Sequence, residues 1–206
     1  MTLKTIIFDF DGTVADTMQI FINIFNKVSR NYALPTINSQ DVEKLKNLSA
    51  LEVIKLYKLS PVKLLKLTIY LQSELRKHIE EISIFLGISD LFDKLKSKNI
   101  QIGIVTSNTK ENVEKFLQKN NIVVDFVDGE RDIFGKGKKL IKLIKRLKLN
   151  KDETIYVGDE VRDVDAAREA GIKIASVTWG MNSEERLKKA NPDWIISSPT
   201  QLMASV

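Results

Sequence analysis

Lys4-Thr5-Ile6-Ile7-Phe8-Asp9-Phe10-Asp11-Gly12-Thr13 crowds Ile6, Ile7, Phe8 and Phe10 into a short run that stops at Asp11-Gly12. An apolar run of this length, closed by turn residues, predicts a buried strand over residues 4–10. Alternate side chains of an extended chain share a side, so Asp9 and Asp11 are expected to face one way while Phe10 enters the core. The same grammar recurs twice. Residues 100–105 lead into Thr106-Ser107-Asn108, and residues 154–157 lead into Gly158-Asp159. Helical periodicity follows or separates these runs at residues 89–98, 110–119, 138–148 and 163–170. The tail continues the pattern, with strands over 172–177 and 194–196 around a helix over 183–190 that Ser183 caps. Alternating strand and helix signals predict an α/β fold, a Rossmann-like parallel sheet flanked by helices. Ligands of such sheets bind beyond the carboxyl ends of the strands, where the polar clusters sit.

One stretch breaks the alternation. From Asp16 to Phe85 the pattern is helical throughout, with Ile20, Ile24 and Val28 on one stripe and Leu64, Leu67, Leu71 and Leu75 on another. Pro35 and Pro61 suit helix starts or the loops before them. A βαβ crossover normally needs one helix, so this stretch is expected to be an inserted all-helical domain, residues 16–85, folded over the first strand's end. Residues 1–15 and 86–206 would then form the α/β core.

Composition narrows the class. The 206 residues are 43% apolar and 29% charged, an ordinary globular mixture. Apolar runs stay short of the roughly 18 residues that cross a bilayer, and Asp9 and Asp11 interrupt the one near the amino terminus. A cytoplasmic protein without membrane contact is the expectation. The sequence has no cysteine, which excludes disulfides and thiolate metal sites. A net charge of +5 favours anionic substrates and also raises nucleic acid as a partner. The densest basic stretch, residues 136–151, interleaves Leu140, Ile141, Leu143, Ile144 and Leu147 at helical spacing with lysines and Arg146 on the opposite face, which is the pattern of a solvated amphipathic face. No nucleic-acid partner is expected.

Two carboxylates at the end of a buried strand repel unless a cation lies between them or one keeps its proton, and a hard ion such as Mg²⁺ resolves the conflict. Solvated turn acids are the plainer alternative for an Asp-Gly pair. Thr106, Ser107 and Asn108 offer a hydroxyl and backbone N–H groups to a phosphate, or simply cap the helix that follows. Lys136, in Phe134-Gly135-Lys136-Gly137, has the glycine neighbours of a lysine that approaches a ligand closely. Asp159 and Asp163 could complete a magnesium site begun at Asp9, with a cap for the next helix as the lesser alternative for Asp163. His78 has the context of an ordinary helix residue. Trp179 and Gly180 follow a strand near the same crevice, where packing is the better assignment for the tryptophan. Residues 47–52, Asn-Leu-Ser-Ala-Leu-Glu, fit either a specificity loop or a Ser-capped helix start.

In their order, Asp9-Phe10-Asp11-Gly12-Thr13, then Thr106-Ser107-Asn108, Lys136, and Gly158-Asp159 through Asp163 resemble the four motifs of the haloacid dehalogenase superfamily. The helical insert resembles its C1 cap, and the whole chain resembles the phosphoglycolate phosphatase branch. In place of that branch's usual Lys-Pro pair stands Gly-Lys-Gly-Lys-Lys, which leaves Lys136 and Lys138 as alternatives, Lys136 being preferred.

The resemblance implies a Mg²⁺-dependent hydrolase of a small phosphate monoester, phosphoglycolate among the candidates, working as a monomer or homodimer. It implies Asp9 as nucleophile, Asp11 as acid and base, and Lys136 as their catalytic companion. Gly12, Thr13, Thr106, Ser107, Asn108 and Lys136 would bind the substrate, and Asp9, Asp11 (through its carbonyl), Asp159 and Asp163 would serve the metal. A phosphomutase of the same superfamily and a non-enzymatic phospho-accepting receiver module are the alternatives.

Overall fold

The computed structural model describes residues 3–129 and 135–205. Strand β1 (Thr5–Phe8) is buried along its whole length. After it come β2 (Ala15–Asp16) and helices α1 (Met18–Ser29), α2 (Ser39–Lys46), α3 (Ala50–Leu56) and α4 (Pro61–Lys77). The chain then returns through β3 (Ser83–Ile84) and α5 (Ile88–Ser97) to β4 (Gln101–Thr106), α6 (Lys110–Lys119) and β5 (Phe126–Gly129). Helix α7 (Lys136–Leu147), β6 (Thr154–Gly158), α8 (Val161–Ala170), β7 (Lys173–Val177), α9 (Glu184–Ala190), β8 (Trp194–Ile196) and α10 (Pro199–Ser205) complete it.

Six strands form one parallel sheet in the order β5-β4-β1-β6-β7-β8. The expected α/β fold with a Rossmann-like parallel sheet is present. Both faces are covered, which is why the strands read as apolar runs rather than as alternations. Ile6, Phe8 and Phe10 pack one way, with Phe8 4.9 Å from Phe92 of α5 and Phe10 edge-on at 5.0 Å from Phe116 of α6. Ile7 packs the other way, with Leu140 and Leu143 of α7 and Val164 and Ala167 of α8. Strand β1 lies at the centre, with Phe8 level with Ile104 on one side and Val157 on the other. That register brings the ends of β1, β4 and β6 to one edge.

Several expectations shift in detail. The first strand ends at Phe8 rather than at residue 10, because the chain turns at Phe10. Helix α7 begins at Lys136 rather than at 138, so Lys136 lies in the first helical turn and not in a loop ahead of it. The helical stretch expected over 16–85 carries strand at both ends, where Ala15–Asp16 pairs antiparallel with Ser83–Ile84. Ser60 caps α4 with Pro61 in its first turn, as proline's missing N–H allows. Ile24, Val28, Leu67 and Leu75 of the expected stripes are buried. Strand β5 and helix α10 had no counterpart in the expectations. The Phe126 ring of β5 lies over Gly103, where a Cβ would come within 2.0 Å of it.

Candidate active site

Past Phe8 the ladder continues for one more bond, from Asp9 N–H to the Val157 carbonyl at 2.8 Å. The chain then folds back: the N–H groups of Val14 and Ala15 both donate to the Phe10 carbonyl, at 2.9 and 3.0 Å, and Gly12 takes φ +79°. With its ring anchored in the core, Phe10 fixes the two acids in different settings. Asp9 is buried, with Oδ1 accepting the Phe10 N–H at 2.8 Å and Oδ2 accepting Lys136 Nζ at 2.7 Å. Asp11 is half-buried and turned toward Asn108, whose Nδ2 donates to it at 3.2 Å. The two carboxylates therefore have different hydrogen-bond partners, Lys136 for Asp9 and Asn108 for Asp11.

The cluster that does form joins Asp9 to Asp159 and Asp163. One oxygen from each lies within 4.8 Å of the others, and all three residues are buried. Asp159 follows the end of β6 and is held by the Thr13 hydroxyl at 2.7 Å and the Met181 N–H at 2.7 Å. The Thr13 hydroxyl thus orients Asp159. Asp163 takes part in the helix cap foreseen for it and also holds the lysine: Oδ2 accepts the Glu160 N–H in a capping box, and Oδ1 accepts Lys136 Nζ at 2.6 Å. Lys136 reaches this pair from the first turn of α7, with its ammonium 5.8 Å from the centre of the Tyr156 ring, whereas Lys138 is exposed.

Two glycines make room for Asp159. A Cβ at Gly12 would lie 2.2 Å from Asp159 Oδ2, and one at Gly180 would lie 2.3 Å from Asp159 Cβ. Gly12→Ala is therefore expected to cost about 1–3 kcal/mol of stability, from the positive φ and the forced displacement of a buried carboxylate. A shift in the urea unfolding midpoint checks this; an unchanged midpoint would mean that the loop yields freely.

Opposite the acids, the Thr106 hydroxyl accepts the Asn108 N–H at 2.9 Å. The Asn108 side chain accepts the Thr109 N–H and Asn112 Nδ2, at 2.8 and 3.0 Å, while aiming its own amide at Asp11. The Ser107 carbonyl accepts Gln72 Nε2 of α4 at 2.9 Å, so the insert reaches directly into this loop. Lys139, one turn-position from the expected lysines, donates to the Thr106 carbonyl at 2.9 Å.

Gln72, Lys139, Arg162 and Asn182 were not singled out from sequence. Arg162 pairs with Glu160 at the start of α8. Asn182 accepts the Val161 N–H at 2.9 Å, donates its own N–H to the Asp159 carbonyl at 3.2 Å, and reaches the Lys46 carbonyl at 3.2 Å. Residues 47–52 form the Ser-capped helix start and also contact the segment before and within α9. Ser49 and Glu52 form a capping box, and Asn47 and Glu52 bond Ser183 and Arg186. Trp179 donates its indole N–H to the Thr13 carbonyl at 3.1 Å.

Acid outweighs base in this dry space. Burial raises Asp9 to about 7 despite the pull of Lys136, and burial raises Asp11 to about 6 against the hydrogen bond from Asn108. Burial, then Glu160, Asp9 and Asp163, lift Asp159 well above the usual carboxylate range. Burial pushes Lys136 down, but Asp163 and Asp9 together overcome it and hold the ammonium charged. Three converging carboxylates with one lysine between two of them lack positive charge, and an oxygen-only donor set of this kind fits a hard divalent cation.

The fold and these acids at its strand ends define a hydrolase of known type: residues 6–177 match the haloacid dehalogenase-like hydrolase family model, and the chain belongs to that family. The particular relatives are phosphatases. A phosphoglycolate phosphatase of Synechococcus elongatus is 32% identical over 206 residues, covering 99% of this chain and 97% of its own. The pyrophosphatase PpaX of Bacillus mycoides is 25% identical, covering 98% of this chain and 96% of its own. The crystal structure of a predicted phosphatase from Clostridium acetobutylicum superposes with a TM-score of 0.86 at 20% identity, covering 99% and 98% of the two chains. The expectation of an enzyme of this family holds, and the receiver alternative falls away. Among the described residues no helix is long and apolar enough to cross a membrane.

Proposed function

We propose that this chain is a Mg²⁺-dependent phosphatase that hydrolyses a small phosphate monoester through an aspartyl-phosphate on Asp9. The observation that carries the proposal is the convergence of Asp9, Asp159 and Asp163 beside the Lys136 ammonium. In the first step Asp9 bonds to phosphorus as the bond to the leaving oxygen breaks, and Asp11 gives that oxygen its proton. In the second, water bonds to phosphorus, Asp11 takes the water's proton, and the Asp9–phosphorus bond breaks to release inorganic phosphate. Lys136 holds Asp9 in place, and Thr106 with the N–H groups of its loop receives phosphoryl oxygens. Asp9, Asp159 and the Asp11 carbonyl would hold magnesium, with Asp163 beside them; when bound it would neutralise the crowded carboxylates and the charge of the phosphoryl group.

The helical insert, residues 16–85, serves in this proposal as the cap over the site, which the Gln72 and Asn182 contacts support. Residues 1–15 and 86–206 are the core, and the protein works in the cytoplasm. Phosphoglycolate and pyrophosphate, the compounds named for its relatives, belong in any assay alongside other monoesters.

Magnesium provides the direct test. It is expected to support phosphate release that a chelator abolishes, and to raise the melting temperature by about 5–10 °C at about a hundred times its Kd. Asp159→Asn removes both effects. An enzyme equally active and equally stable in chelator would refute the metal-dependent mechanism.

A further inference from the structure

Helix α1 packs on α4, and the Phe25 ring meets Tyr57 edge-on at 5.5 Å, yet an open pocket of about 380 Å³ remains beside them, walled by Phe21 and Phe25 of α1, Val53 of α3, and Leu64, Leu67 and Leu71 of α4. Its charged lining residues are Asp11, Lys46, Glu160 and Arg162, and Arg162 is already paired to Glu160. The pocket opens to solvent, so its aliphatic and aromatic lining stays in contact with water until a ligand covers it. Helix α1 shows the same thing in its pattern. Ile24 and Val28 are buried, while Phe21, Ile22 and Phe25 on another face line the cavity and stay half-buried.

Asp11, the carboxyl that gives its proton to the leaving oxygen, lies on the wall of this cavity. Whatever departs with that oxygen must therefore occupy it. A glycolate or a second phosphate is small and anionic, and would leave most of the space to water against apolar walls, at about 30 Å³ per water. A hydrocarbon that covers those apolar side chains releases that water, which is the favourable term. From this geometry we infer that the enzyme's preferred substrate class is phosphate monoesters of an apolar alcohol or phenol, with the hydrocarbon seated among the insert helices and the phosphoryl group at Asp9.

The inference rests on the phosphatase proposal, and a homologous series separates the two. Phosphate release from ethyl, butyl and hexyl phosphate is compared with release from phosphoglycolate and pyrophosphate. On this inference kcat/KM rises by about fourfold per methylene buried, the factor that corresponds to about 0.8 kcal/mol. Hexyl phosphate then surpasses phosphoglycolate and pyrophosphate. Leu64→Trp, which places an indole into the cavity, raises KM for hexyl phosphate about tenfold or more and so flattens the dependence of kcat/KM on chain length. A rate that is flat with chain length, or faster for phosphoglycolate than for hexyl phosphate, overturns it.

Equilibrium binding of hexylphosphonate and ethylphosphonate to the native protein reads the pocket without turnover. If no ester is hydrolysed yet hexylphosphonate binds more tightly, the pocket assignment stands and the hydrolase proposal falls. Equal affinities overturn the pocket assignment even if esters are hydrolysed.

Discussion

Asp9→Asn is expected to lower phosphate release by about 10³-fold or more while the variant melts no lower than the native protein in the absence of metal. An amide oxygen is a poor nucleophile toward phosphorus, so covalent transfer stops at its first bond. Stability should move the other way. Burial resists the charge on Asp9, which is why its carboxyl is raised to about 7, and a neutral side chain of the same shape relieves that resistance. The amide can still accept the Phe10 N–H, and Lys136 keeps Asp163 at 2.6 Å. Steady-state phosphate release and calorimetric melting of the same sample check both halves. A folded variant that turns over at a near-native rate would take the nucleophile's role away from Asp9.

Lys136→Ala is expected to impair both turnover and folding. The lysine is the ammonium joining Asp9 to Asp163, and all three side chains are buried. Removing one partner of a buried ion pair leaves uncompensated charge and costs about 3–5 kcal/mol. For a chain of this size that corresponds to a melting temperature lower by about 10 °C or more. The contrast with Asp9→Asn is diagnostic, since one change subtracts from an excess of negative charge and the other adds to it. A Lys136→Ala variant that melts with the native protein would mean that the carboxylates are already neutral.

Much of this arrangement is written locally. Strands covered on both faces must be apolar throughout, so β1, β4, β6 and β7 stand out as runs, and their ends are where acids and hydroxyls collect. What sequence could not convey depends on partners far away along the chain. Strand β5 is an edge strand of half-buried residues whose phenylalanine covers a glycine on β4. The part played by Thr13 depends on Asp159, 146 residues later, and that of Asn182 on Lys46, 136 residues earlier. Gln72 sits in a helix whose periodicity marks only its apolar stripe. The different burial and partners of Asp9 and Asp11 accompany a local feature that a simple extended-chain argument omits, namely the turn at Phe10 and the positive φ of Gly12.

The small antiparallel ribbon of Ala15–Asp16 with Ser83–Ile84 has an evolutionary corollary. It brings departure and return of the helical stretch to neighbouring points, so the length of what lies between adds little closure entropy as seen from the sheet. Helices there can be traded, lengthened or reshaped while the loop that presents Asp9 keeps its register. New chemical preferences can then arise in one module without renegotiating the reaction carried out by the other.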